Sequence, residues 1–154
     1  MLEIGCGNGR DAKEILRHTQ DYTGIDISSN LIQLARNNNP QASFIQADIE
    51  NYTPQKGLDV IFAFASLIHV SKETLENVMV RLYESLNQNG ILFVSLKYAK
   101  EYEEVTKTDE FGTRTYYHYS QEDTIKLGGT FKILHTTIQE AVGQVWIDVL
   151  YQKN

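Results

Sequence analysis

The chain opens with a glycine-rich turn that follows directly on a short apolar strand. The strand contains Glu3 and leads into Gly5, Gly7 and Gly9, and a helix is predicted to begin near Arg10. Glycine takes a positive φ without steric cost, so the backbone turns tightly and lies close to a ligand. The unpaired N–H groups of a following helix face the same place. The sequence therefore predicts a ligand-binding turn at the top of a sheet.

The glycine spacing distinguishes between two classes of ligand. A dinucleotide site uses the pattern G-x-G-x-x-G, in which the third glycine lets the helix pack closely and the helix faces a pyrophosphate. Here Gly9 comes one residue too early, and Arg10 stands where that pattern has glycine. The acid Glu3 is also unfavourable beside two phosphates. Together these residues favour a ligand that carries a positive group.

Two further acids end the next two predicted strands. Residues 22–26 form a short apolar run that ends in Asp26, at the distance where a doubly wound sheet places the acid that binds a ribose diol. The alternative is that Asp26 is an ordinary acid favoured by the dipole of the following helix, which Ser28 is suited to cap. Residues 42–47 form the third strand, and Asp48 follows it.

The segment E-x-G-C-G-x-G, followed by these strand-end acids, resembles the class I S-adenosylmethionine-dependent methyltransferases of the small-molecule type. The resemblance implies S-adenosylmethionine as the cofactor, with its methionine half on the glycine turn, its ribose on Asp26 and its adenine amino group on Asp48. It implies a donor to an adenine ring nitrogen from the backbone N–H after Asp48, and we interpret Cys6 as a space-filling residue. The predicted cofactor-binding residues are Glu3, Gly5, Cys6, Gly7, Asp26, Ile27, Asp48, Ile49, Ala63 and Phe64.

The fourth predicted strand, Leu58–Ala65, is almost continuously apolar, which is typical of a central strand buried on both faces. The following Leu67-Ile68-His69-Val70 resembles the L-x-H-V segment after the fourth strand of many small-molecule methyltransferases. His69 should lie just past the end of that strand and is therefore the predicted general base. The alternative is a helix-entry histidine that hydrogen-bonds the backbone.

The segment from Lys97 to Tyr119 has no clear hydrophobic period and is rich in charged and aromatic residues. Long connections of this kind are often functional. We predict that Tyr98, Tyr117 and His118 form the acceptor wall, with packing inside the loop as the alternative.

The alternation of strands and helices predicts an α/β fold with a parallel sheet. The resemblance implies a doubly wound, Rossmann-like, seven-stranded sheet of order 3-2-1-4-5-7-6, with the last strand antiparallel. The 154 residues fit one domain, 1–154. Because the first strand begins at Met1, we expect this domain to lack the usual N-terminal helix of the family.

Composition limits the partners of the chain. The formal net charge is −6 and no basic run is present, which disfavours a nucleic-acid substrate. A single cysteine excludes a disulfide framework, and no metal-ligand cluster is evident. Without a signal peptide or a long apolar span, we predict a cytoplasmic protein that does not bind membranes.

The resemblance implies S_N2 transfer of a methyl group to a small-molecule acceptor. One alternative is a methyltransferase-like module that binds S-adenosylmethionine without catalysis, which the short N-terminus makes plausible. A NAD(P)-dependent oxidoreductase is a further alternative, disfavoured by Glu3 and the early third glycine. The acceptor and the oligomeric state stay open.

Overall fold

The computed structural model describes residues 1–110 and 112–154. These residues form one sheet with helices on both faces. The strands are β1 Leu2–Ile4, β2 Thr23–Asp26, β3 Ser43–Gln46, β4 Leu58–Phe64, β5 Leu86–Tyr98, β6 Glu103–Asp109, β7 Gly112–Tyr119, β8 Lys132–Ala141 and β9 Gln144–Gln152. The helices are α1 Ala12–Ile15, α2 Ser29–Asn38, α3 Lys72–Ser85 and α4 Gln121–Gly128, with a 3₁₀ turn at Leu67–His69.

The topology confirms the predicted strand order. Strands β3, β2, β1, β4 and β5 lie side by side and are parallel. Strand β9 pairs antiparallel with β5, and β8 pairs antiparallel with β9 on the outside. Since β8 and β9 are the sixth and seventh strands of the predicted sheet, these strands have the expected order 3-2-1-4-5-7-6. The prediction of seven strands was too low, because the sheet of the described residues also includes β6 and β7 and has nine. The carboxyl ends of the five parallel strands therefore meet at one edge.

An antiparallel hairpin, β6–β7, occupies most of the segment for which the sequence predicted no regular structure. Strand β7 joins the sheet through two residues beside the end of β5, Lys97 and Tyr98. Its cross-strand pairs include Thr106 with Thr115 and Thr108 with Thr113, whose hydroxyls are hydrogen-bonded at 3.0 and 2.9 Å. Polar pairs of this kind stabilise the outer part of the hairpin without apolar side chains, so hydropathy gave no signal there.

The sheet is buried by a different set of residues on each face. On one side, α3 places Leu75, Val78, Met79 and Leu82 in the main core, at the spacing of a helix with one apolar face. On the other side, a smaller cluster of buried hydrophobic residues, which includes Phe44, lies under α2. Each fully buried leucine contributes about 1.5–3 kcal/mol to stability. None of the helices in the described residues has the length and apolar character needed to span a membrane.

Serine side chains cap three of the helices. Ser28, the predicted cap, accepts a hydrogen bond from the first turn of α2, Ser71 accepts one from the first turn of α3, and Ser120 forms a capping box with Asp123 at α4. Burial raises the pKa of Asp123, but hydrogen bonds from Lys72 and Ser120 outweigh it and leave that pKa below its usual value. Helix α1 has four residues and begins at 12 rather than near 10, where it was predicted.

Candidate functional site

A cavity of about 470 Å³ opens at the carboxyl ends of β1, β2, β3 and β4. Six of the predicted cofactor residues line it: Gly5, Asp26, Ile27, Asp48, Ile49 and Phe64. Its position is where ligands bind in doubly wound sheets, outside the ends of the parallel strands. We refer to it as the main cavity.

Asp26, at the end of β2, is held in place by two backbone donors. Its Oδ2 accepts a hydrogen bond from the N–H of Gly7 at 3.0 Å, and its Oδ1 accepts one from the N–H of Ser28 at 2.9 Å. A carboxylate offers about four lone-pair sites, so both oxygens keep acceptor capacity for further donors. The glycine turn and the second strand are thus joined through the same carboxylate that lines the main cavity.

Gly5 lies against Ser66, the residue that follows the fourth strand by two positions. The φ of Gly5 is +73°, and a Cβ at this position would lie only 2.2 Å from the Cβ of Ser66, so position 5 does not accommodate a side chain. Close approach of two backbones is a reason for glycine beyond turn geometry. The Oγ of Ser66 is buried and has no hydrogen-bond partner among the described residues. Ser66 was not among the predicted site residues, because a single serine outside any recognisable motif gives no sequence signal for a binding role.

The loop after β3 carries Asp48 and Ile49 into the main cavity and is fixed by a side chain from α3. Asp48 accepts the N–H of Glu50 at 3.0 Å, which closes a local turn. Arg81 donates to the carbonyl oxygens of Ile49, Glu50 and Tyr52 at 2.9, 2.9 and 3.2 Å. The loop has no regular secondary structure, and the hydrogen bonds from this one guanidinium hold its backbone in place. Sequence reasoning missed Arg81, since it lies far from Asp48 along the chain and on another element.

A second cavity, of about 290 Å³, lies on the other side of Gly5 and is also lined by Glu3, Cys6, Gly7 and Phe64. Burial raises the pKa of the Glu3 carboxyl, while the short hydrogen bond from the hydroxyl of Tyr22 acts in the opposite direction. An acid in this place adds negative character to the glycine turn.

Cys6 and Ala63 are both buried. Burial raises the pKa of the Cys6 thiol to about 12, so the thiol form dominates at neutral pH. Cys6 packs in the smaller core cluster and Ala63 in the main core. Ala63, which was predicted to bind the cofactor, lines neither cavity because its side chain is buried in the core, whereas the next residue, Phe64, lines both.

His69 lies at the end of the 3₁₀ turn and lines the main cavity. Its Nδ1 is 2.7 Å from the carbonyl oxygen of Thr115 on β7. Since a carbonyl only accepts, Nδ1 carries the proton, and in the neutral ring Nε2 then has a free lone pair. The backbone hydrogen bond and the cavity position, which the sequence offered as alternatives, occur together. A role as base stays a prediction.

The three residues predicted for the acceptor wall are distributed over the hairpin and its junction with β5. Tyr117 stacks on Tyr102, with ring centroids 6.4 Å apart, and packs against the main core together with Tyr98. The Nδ1 of His118 is 2.8 Å from Glu103. None of the three lines the main cavity in the described structure, and their acceptor role stays a prediction. Tyr116, which sequence reasoning passed over, contacts the ring of His69 at 4.5 Å between centroids.

Residues 1–90 match a family model described as a methyltransferase domain. The chain belongs to this methyltransferase family. Membership confirms the resemblance carried by the glycine turn and the strand-end acids.

A trans-aconitate 2-methyltransferase from Paracidovorax citrulli is 34% identical over 100 residues, which are 62% of this chain and 38% of that protein. The enzyme of the same name from an Escherichia coli strain is 34% identical over 98 residues, with the same coverage of each chain. The match thus spans well under half of these relatives.

Solved structures of methyltransferases share the fold of this methyltransferase domain. One from Methanosarcina mazei, described as S-adenosylmethionine-dependent, superposes with a TM-score of 0.85 at 17% identity, covering 99% of this chain and 91% of that one. The magnesium protoporphyrin IX methyltransferase of Synechocystis, with bound S-adenosylmethionine, gives 0.78 at 17% identity, covering 99% and 69%. At this identity the likeness shows the fold, which is the class I methyltransferase fold.

Proposed function

We propose that the chain binds S-adenosylmethionine in the two cavities beside Gly5 and transfers its methyl group to a small-molecule acceptor. The observation that carries the proposal is the convergence of Gly5, Asp26 and Asp48, each at or just past the end of a different parallel strand, on one cavity of about 470 Å³. Family membership supports the same activity.

The donor set fits this cofactor chemically. Asp26, already oriented by two backbone N–H groups, accepts from the ribose hydroxyls. Asp48 accepts from the adenine amino group, and the exposed side chain of Ile27 covers the base. The acidic glycine turn, with Glu3 beneath it, suits the positively charged methionine half and disfavours the pyrophosphate of a nicotinamide cofactor.

The chain positions the acceptor and removes its proton. S-Adenosylmethionine, when bound, supplies an electrophilic methyl group for in-line S_N2 displacement by an acceptor heteroatom. Holding two reactants in line accounts for up to about 7–11 kcal/mol of the barrier in favourable cases. His69 is the general base, because its Nδ1–H is bound to Thr115 and Nε2 is the proton acceptor. The net charge of −6 disfavours a nucleic-acid substrate and therefore supports a small acceptor.

Calorimetry and a methyl-transfer assay test the proposal on the purified chain. Titration with S-adenosylmethionine and with NADH should give binding only for the former. Methyl-labelled S-adenosylmethionine is then incubated with a panel of carboxylic acids, phenols, thiols and amines, with trans-aconitate included because the relatives are named for it. Absence of S-adenosylmethionine binding refutes the proposal. Binding with no transfer to any acceptor favours the non-catalytic module, and binding of NADH favours an oxidoreductase.

A further inference from the structure

Two lysines lie against the ring of Tyr116, next to the main cavity. The Nζ of Lys97, on β5, is 4.3 Å from the ring centroid, and the Nζ of Lys107, on β6, is 5.7 Å from it. The same ring contacts His69, which lines the main cavity. The contacts therefore lead from both ammonium groups to Tyr116, from Tyr116 to His69, and from His69 to that cavity.

Lys97 is buried, with only 7% of its surface exposed. Its ammonium donates to the Oε1 of Gln144 at 3.0 Å and faces the Tyr116 ring. An ammonium has three donors, so one donor is left for another partner. Burial, and then the charge of Lys107, lower the pKa of Lys97. A buried cation beside a second cation is costly unless an anion joins them.

Carboxylates on the hairpin and on β9 have partners other than these two lysines. Glu103 pairs with His118 at 2.8 Å, and Asp109 pairs with Arg114. Asp148 lies on the same face of β9 as Gln144; its Oδ2 accepts a hydrogen bond from Gln139, its buried Oδ1 has no hydrogen-bond partner among the described residues, and it forms no ion pair with either lysine there. Within residues 1–110 and 112–154, neither Lys97 nor Lys107 forms an ion pair.

We propose that the methyl acceptor carries a carboxylate group, which Lys97 and Lys107 bind beside the ring of Tyr116. The proposal rests on the methyltransferase function proposed above and specifies its substrate class. One carboxylate beside two ammonium groups offsets their mutual repulsion and accepts hydrogen bonds from both, and a planar acid there packs against the edge of the aromatic ring. The pairing of His69 with Tyr116 keeps this subsite adjacent to the predicted base.

Binding of benzoate, compared with its neutral isostere benzamide, tests the subsite. Each is titrated into the ¹⁵N-labelled full chain, and amide shifts of the hairpin are followed by NMR. We expect benzoate to bind and benzamide to be without effect. Lys97→Met should raise the Kd of benzoate at least about tenfold, and the exposed Lys107→Met about threefold. Lys56→Met, an exposed control outside the hairpin, should leave it unchanged.

Equal binding of benzoate and benzamide overturns the proposal, as does unchanged benzoate affinity in Lys107→Met. The latter variant guards against misfolding, because its side chain is exposed on the hairpin. S-Adenosylmethionine affinity is measured on the same samples. If the cofactor binds and benzoate does not, only the subsite is wrong. If benzoate binds and the cofactor does not, the methyltransferase function is wrong and an anion site remains.

Discussion

Replacing Asp26 by asparagine removes the charge from the carboxylate that joins the glycine turn to the second strand. In the native chain its two oxygens accept N–H groups from Gly7 and Ser28 at 3.0 and 2.9 Å. Asparagine keeps one oxygen, so one of these N–H groups must face an NH₂ group. The substitution preserves side-chain shape, so its effect comes from the lost charge and the lost acceptor.

The expected magnitude follows from the hydrogen bonds that are lost. A hydrogen bond to a charged group contributes about 1.5–3 kcal/mol, so the free energy of unfolding should fall by about this amount. The same carboxylate is the proposed acceptor for the ribose hydroxyls. Loss of one charged hydrogen bond to the ligand weakens binding by about 10- to 150-fold.

Isothermal titration with S-adenosylmethionine gives the affinity, and urea unfolding gives the stability of the same samples. Asp21→Asn is the matched control, since the side chain of Asp21 is 89% exposed and lies just before β2. Both quantities should be unchanged in the control. A folded Asp26→Asn protein that binds S-adenosylmethionine with native affinity would show that Asp26 does not hold the ribose.

Three further substitutions test other parts of the site and fold. Gly5→Ala places a Cβ 2.2 Å from that of Ser66 at positive φ, and urea unfolding should show a loss of about 2–5 kcal/mol. Arg81→Met frees the loop that follows β3, and calorimetry should show about fivefold weaker binding of S-adenosylmethionine, equivalent to about 1 kcal/mol. Asp123→Asn weakens the pair with Lys72, and unfolding at neutral pH should show a loss of about 1.5–3 kcal/mol. Because the pKa of Asp123 is lowered by folding, its stabilisation is present above about pH 4 and lost below it, so the variant should depend less on acid pH.

Each of these substitutions has a matched control. Gly7→Ala meets no atom within 4 Å and should cost only the conformational strain of about 1–2 kcal/mol. Arg17→Met, on the surface, should not alter cofactor affinity, and Glu122→Gln should not alter the acid profile. Equal losses in Gly5→Ala and Gly7→Ala would contradict the close contact with Ser66. Native affinity in Arg81→Met would mean that the loop holds its shape unaided.

The sequence predicts the part of the fold that local patterns encode. Gly5 and Asp26 end apolar strands at fixed spacing, so the parallel sheet and the cavity at its edge follow from the chain itself. The contacts of Arg81, Ser66 and Tyr116 depend on elements that are far apart in sequence, and no local pattern signals them. The β6–β7 hairpin escaped prediction because its paired threonines create no apolar periodicity.

The β6–β7 hairpin is attached to the sheet on one side of β4, and the proposed cofactor residues lie on the other side. Strand β7 meets the sheet through two residues of β5, and the hairpin touches the region of the main cavity through Thr115 and Tyr116. Asp26 and Asp48, which hold the cofactor in the proposed function, lie on the other side of β4, at the ends of strands of their own. If the proposed function holds, exchange of residues 103–119 is expected to alter the choice of acceptor and to leave binding of the methyl donor unchanged. In the proposed function, the hairpin selects the acceptor and the ends of the parallel strands hold the methyl donor.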